Sequence, residues 1–77
     1  MKIEKFIALI ADEFDETAPE LFKPDTKYKE IKEWSSLTAL SVIALIDEEF
    51  EKKLTGADLH NCNTLKDLYT LVESKNV

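Results

Sequence analysis

The 77-residue sequence predicts an all-α fold, a small four-helix bundle of three main helices and one short one, and three observations carry that prediction. Apolar residues recur at three- and four-residue spacing in three separate stretches, the period of a helix with one buried face. No stretch sustains the two-residue alternation of a half-buried strand. The punctuation agrees with both: Pro19 and Pro24 share one segment, Gly56 is the only glycine, and hydroxyl-bearing residues stand where helices should begin.

The first helix is expected from about Lys2 to Phe14, where Ile3, Phe6, Ile7, Ile10 and Phe14 share a face and Lys2, Glu4, Lys5, Asp12 and Glu13 lie largely outside it. From Asp15 to Trp34 the period breaks, so about twenty residues form a connection. Leu21, Phe22, Tyr28, Ile31 and Trp34 supply its packing, and Thr17 with Glu20 resembles a capping box for a short turn near Ala18 to Phe22. Trp34 is read as an anchor that pins this connection to the bundle.

Ser35 and Ser36 open the second helix, expected to run to about Lys53, because a serine hydroxyl can accept from the free N–H groups of a first turn. Ala39, Val42, Ile43, Ile46 and Phe50 form its core stripe. Lys52 and Lys53 in a last turn, with Gly56 beyond, read as a stop signal. Thr55 with Asp58 predicts a short third helix carrying Leu59 and ending near Asn61-Cys62-Asn63. Thr64 with Asp67 predicts a last helix through Leu65, Leu68, Leu71 and Val72 to about Ser74.

A chain of this length supports one small domain, residues 1–77, with a compact core. Its 44% hydrophobic and 34% charged residues fit a globular chain, and no apolar run reaches the roughly 20 residues of a membrane span. Glu4 and Asp12 interrupt the apolar start, which reads as a helix and not a signal peptide, so a cytoplasmic location is expected. A formal net charge of −6 disfavours nucleic acid and anionic membrane surfaces and favours basic protein partners.

The side chains offer little catalytic equipment. Ser36 has no base nearby in sequence, and His60 is the only histidine, although as a residue after the second helix it could approach it. His60 and the single Cys62 fall short of the four ligands of a zinc site, and Cys62 is read as a small apolar filler. Asp47-Glu48-Glu49 lacks the alternating ligands and glycine of a calcium loop, and no glycine-rich phosphate loop is present. The chain is expected not to be an enzyme.

The second helix has one feature that folding does not require. Leu37, Leu40 and Ala44 fall off the core stripe and share their side with Asp47, Glu48 and Glu51, an apolar and acidic second face suited to binding a partner.

The whole stretch Trp34 to Phe50, W-S-S-L-T-A-L-S-V-I-A-L-I-D-E-E-F, resembles the prosthetic-group segment of acyl carrier proteins, through Ser36, Leu37, Asp47, Glu48, Glu49 and Phe50. The layout of helix, long loop, modified helix and two further helices is similar across nearly the full length. Ser35 departs from the family's usual aspartate, and Thr38 and Ser41 leave the front of the helix uncharged where many relatives are acidic. The resemblance implies an acyl-carrier-like bundle carrying 4′-phosphopantetheine, taken from coenzyme A, on Ser36. It implies acyl groups held as thioesters, with Ala39, Val42, Ile43 and Ile46, Phe6 and Leu68 lining an acyl chain.

The implied partners are a phosphopantetheinyl transferase and acyl-processing enzymes of fatty-acid, polyketide or related acyl metabolism, with basic patches that dock on Leu37, Leu40, Ala44, Asp47, Glu48 and Glu51. The carrier is expected to be monomeric. An aminoacyl or peptidyl carrier is the sibling alternative, and an unmodified acidic helical adaptor is the alternative of a different class.

Overall fold

The computed structural model describes residues 2–75. Four α-helices lie among them: α1 (Ile3–Ala11), α2 (Ser36–Phe50), α3 (Gly56–Asn61) and α4 (Leu65–Ser74). Two 3-10 turns, Pro19–Leu21 and Tyr28–Glu30, interrupt the long connection, and the described residues contain no strand. The all-helical bundle of three main helices and one short one is therefore the fold.

Both short-range caps after α2 form as the spacing predicts. The Thr55 hydroxyl accepts the Asp58 N–H at 3.1 Å while the Asp58 carboxylate accepts the Thr55 N–H at 3.0 Å. At α4 the Thr64 hydroxyl accepts the Asp67 N–H at 3.1 Å, and the Asp67 carboxylate accepts from Thr64 at 3.1 Å and Asn63 at 3.3 Å. Each box satisfies donors that the first turn of a helix leaves without a backbone partner.

Three boundaries differ from expectation. α1 stops at Ala11, three residues before Phe14, because the Glu13 and Phe14 N–H groups bond to carbonyls only three residues back, Ile10 and Ala11. That tightened turn still delivers Phe14 to the core at 4% exposure. α2 ends at Phe50 and not at Lys53, because Glu51 turns left-handed at φ 56° and its N–H closes on the Asp47 carbonyl. Lys52 and Lys53 thus lie beyond the helix, and Gly56 is the first residue of α3, so it stops nothing. Thr17 and Glu20 make no capping box: the Thr17 hydroxyl donates to the Glu33 carboxylate, which also takes the Glu16 N–H at 2.9 Å.

α1 packs on α2 and α4, and α2 packs on α3. At their centre Phe6, Ile10, Val42, Ile46, Leu59, Leu65, Leu68 and Val72 are at most 2% exposed. The Phe6 ring sits 5.7 Å from Phe50 and 5.4 Å from Tyr69, edge to face with the latter. The connection is packed, not loose. Trp34 stacks over Phe14 at 6.4 Å and meets Tyr28 edge-on at 5.0 Å, the anchoring role read from sequence. The fully buried Tyr28 donates its hydroxyl proton to the Leu59 carbonyl, with the Cys62 carbonyl 3.2 Å away, and Lys29 donates to the His60 carbonyl. Leu65 and Lys66 donate backbone N–H groups to Thr26 and Pro24. These bonds fix α3 and the start of α4 to the connection, and so set where α3 stands beside α2.

Candidate functional site

The start of α2 gives its two serines opposite tasks. Ser35, in extended backbone at φ −155° and ψ 176°, is the residue that caps the helix, its oxygen accepting the Thr38 N–H at 3.3 Å. The Thr38 hydroxyl spends its one proton on the Glu33 carbonyl at 2.9 Å. Ser35 must then be the donor across the 3.2 Å separation between the two hydroxyl oxygens, so its own proton is also engaged. Ser36 follows as the first helical residue, exposed, and none of the hydrogen bonds of the described residues uses its hydroxyl.

Beyond Ser36 the second face of α2 is open to solvent, as its spacing predicts. Leu37 and Leu40 are 77% and 62% exposed, and Ala44 is exposed between Leu40 and the acidic end of the helix. Asp47, Glu48 and Glu51 are exposed there, but Glu51 lies one residue past the helix, placed by its left-handed turn and not by helical period. The Asp47 carboxylate is 3.7 Å from the Lys53 ammonium, an open pair worth at most about 1 kcal/mol.

A groove of about 550 Å³ opens beside Ser36, between α2, α3 and the connection. Ala39, Leu40 and Ile43 form its α2 wall, Leu59 and His60 its α3 wall, and Trp34 and Lys29 its end on the connection. The expected acyl lining is thus divided. Ala39 and Ile43 reach the groove, whereas Val42, Ile46, Phe6 and Leu68 are at most 1% exposed and close against one another under α1 and α4. Sequence reasoning missed Lys29 and Leu59 here and placed His60 only in α2's general vicinity. The nearest available signal was the Thr55–Asp58 box, which fixes where α3 starts. A second hollow, of about 360 Å³, lies between α1 and the Pro19–Pro24 segment and shares no residue with the first.

Electrostatics follow the hydrogen bonds. The Thr55 N–H holds the Asp58 carboxyl below its ordinary range, and the Thr64 and Asn63 N–H groups do the same for Asp67. Burial pushes the Tyr28 hydroxyl and the Cys62 thiol up, which keeps Cys62 a neutral, weakly nucleophilic thiol packed at the edge of the core. The described residues hold no cluster of three or more His, Cys, Asp or Glu side chains that could bind a metal ion, and no helix among them is long and apolar enough to cross a membrane.

Among the described residues no base is hydrogen-bonded to the Ser36 hydroxyl. A family model described as the phosphopantetheine attachment site matches residues 4–72. No curated protein matches the chain.

Proposed function

The chain belongs to the phosphopantetheine attachment site family, whose members carry covalently attached 4′-phosphopantetheine, and from that premise we propose that it is an acyl carrier protein modified at Ser36. The observation that carries the assignment of the residue is the division of labour at the start of α2: Ser35 is engaged as donor and acceptor, while the Ser36 hydroxyl is exposed and unengaged.

The residues fit the group. An exposed hydroxyl on the first residue of a 15-residue helix is presented rigidly, and the positive end of the helix favours a phosphodiester by about 0.3–1 kcal/mol at an exposed site. Modification forms the bond from the Ser36 oxygen to phosphorus as the diphosphate of coenzyme A breaks, adenosine 3′,5′-bisphosphate leaves, and the serine proton passes to the transferase. The attached arm then supplies a thiol that holds an acyl group as a thioester.

What the chain itself contributes is presentation, shelter and recognition. Ala39, Ile43, Leu59 and Trp34 offer an apolar wall within reach of the attachment point. Leu37, Leu40 and Ala44 offer a desolvatable centre for docking, and Asp47, Glu48 and Glu51 steer a basic partner toward it. The uncharged front, with Ser35, Thr38 and Ser41, concentrates that acidity at the far end of α2 and favours partners whose basic patch lies beyond the apolar contact. Fatty-acid, polyketide or related acyl enzymes are the partners proposed.

The test is an intact mass after incubation with coenzyme A and a broad-specificity transferase. A gain of roughly 340 Da is expected for the covalently held cofactor, absent in Ser36→Ala and retained in Ser35→Ala. A gain in Ser36→Ala would move the site to another hydroxyl. No gain in the native chain would leave an adaptor that binds through the Leu37–Leu40 face.

A further inference from the structure

We propose that Lys29 and His60 form a basic rim that holds the phosphodiester of the Ser36-linked arm against the groove, an inference that rests on modification at Ser36. Sixteen of the 77 residues are acidic, yet none of the ten that line this groove is a carboxylate. The two ionisable groups present are both basic, Lys29 from the connection and His60, the chain's only histidine, from α3.

They are also held in place. Lys29 donates to the His60 carbonyl, and the neighbouring Tyr28 ties Leu59 of the same helix, so the Lys29 ammonium and the backbone that carries His60 are held together across the groove from α2. A phosphodiester bonded to the Ser36 oxygen starts from a residue that itself lines this groove. An anion there meets two basic side chains and no carboxylate among the groove's lining residues, in a chain whose net charge is −6.

His60 reports on this directly. Of the neighbouring charged residues, Lys29 from the connection meets the His60 carbonyl, and Asp58, on the same short helix, has its carboxylate occupied by the Thr55 N–H and by Lys75 at 3.2 Å. The capping Ser35 and, from α2, Ser36, Ala39, Leu40 and Ile43 line the groove, none of them charged. The single imidazole should therefore gain proton affinity when a phosphodiester arrives, by roughly two- to threefold at low salt and less as salt screens it.

The experiment compares the unmodified protein with the modified protein bearing no acyl group, both checked by intact mass. The proton resonances of the His60 ring are followed across pH, and the phosphorus resonance of the arm is recorded in the native, Lys29→Gln and Lys29→Arg proteins. Expected are the two- to threefold rise in His60 proton affinity on modification, a displaced phosphorus signal in Lys29→Gln, and its return toward the native position in Lys29→Arg. The proposal falls if either response is missing in protein whose mass confirms modification at Ser36. It falls equally if His60 responds only after a carboxylate-ended acyl group is loaded, since the anion is then the cargo. Absence of the mass gain, or its survival in Ser36→Ala, overturns the reading of Ser36 itself and is seen before any titration.

Discussion

Two adjacent hydroxyls at the start of α2 look equivalent in sequence and are not equivalent in the fold. Ser35→Ala removes the oxygen that accepts the Thr38 N–H and the proton given to the Thr38 hydroxyl, so it should destabilise the protein by about 1 kcal/mol, within the usual 0.5–2 kcal/mol for a lost cap. Ser36→Ala removes no bond and should change stability by no more than about 0.5 kcal/mol. Urea denaturation of both variants measures this independently of the mass experiment. A carrier site and a cap then separate cleanly: one substitution costs stability and spares modification, the other does the reverse. If Ser36→Ala proves the more destabilising, the cap has been assigned to the wrong serine.

At the scale of a helix, α2 carries two faces with different duties. Ile46 is fully buried on the core face, so Ile46→Ala should cost about 2–5 kcal/mol. Leu37 and Leu40 are mostly exposed, so Leu37→Ala and Leu40→Ala should each stay within about 0.5 kcal/mol of the native chain while weakening transferase binding. Losses from the leucines comparable to that from Ile46 would mean that the face is core and not a docking surface. α3 and α4 offer a different test, through pH. Their capping carboxylates, Asp58 and Asp67, are held below the ordinary value of 3.8 by backbone N–H groups. Each box therefore stabilises fully above that unfolded-state value, and the contribution is lost as pH falls below it through the lower folded values. Melting temperature followed downward from neutral pH should drop in that acid window, and Asp58→Asn with Asp67→Asn should flatten this part of the drop.

These same elements show what was legible before the fold was known. The two T-x-x-D starts were readable because a capping box is a contact between residues three apart, complete within its own turn. The exposure of Leu37 and Leu40 was readable because helical period fixes which side a residue takes. The end of α2 was not, since Glu51 adopts a left-handed turn that glycine ordinarily takes and no local feature marks a glutamate for it. Thr17 likewise had a local partner available in Glu20 and took the distant Glu33 instead. The groove was least legible of all, because Lys29, Trp34, Ile43 and His60 meet only after the connection has been tied to α3.

For the whole molecule, the dominant unspent term is charge. Acidic side chains outnumber basic ones by 16 to 10, and the carboxylates at the end of α2 are exposed with one open pair, Asp47 to Lys53, to offset them. Self-repulsion of this kind should keep the proposed carrier monomeric and should also strain its small bundle. Raising salt shortens the screening length from about 10 Å at 0.1 M to about 3 Å at 1 M, so the melting temperature should rise, with roughly 4–8 °C for each kcal/mol relieved in a domain of this size. Asp47→Lys with Glu48→Lys makes the same point without salt. Each replacement adds two charges, so the pair takes the net charge from −6 to −2. The double variant should melt higher than the native chain at low salt and respond less to added salt. It should nevertheless be modified more slowly at Ser36, because the charges that repel one another are the ones that steer the basic partner. A stabler protein that is a poorer substrate is the expected result. A double variant that is both less stable and slower would show that these carboxylates support the fold, and their assignment to docking would fail.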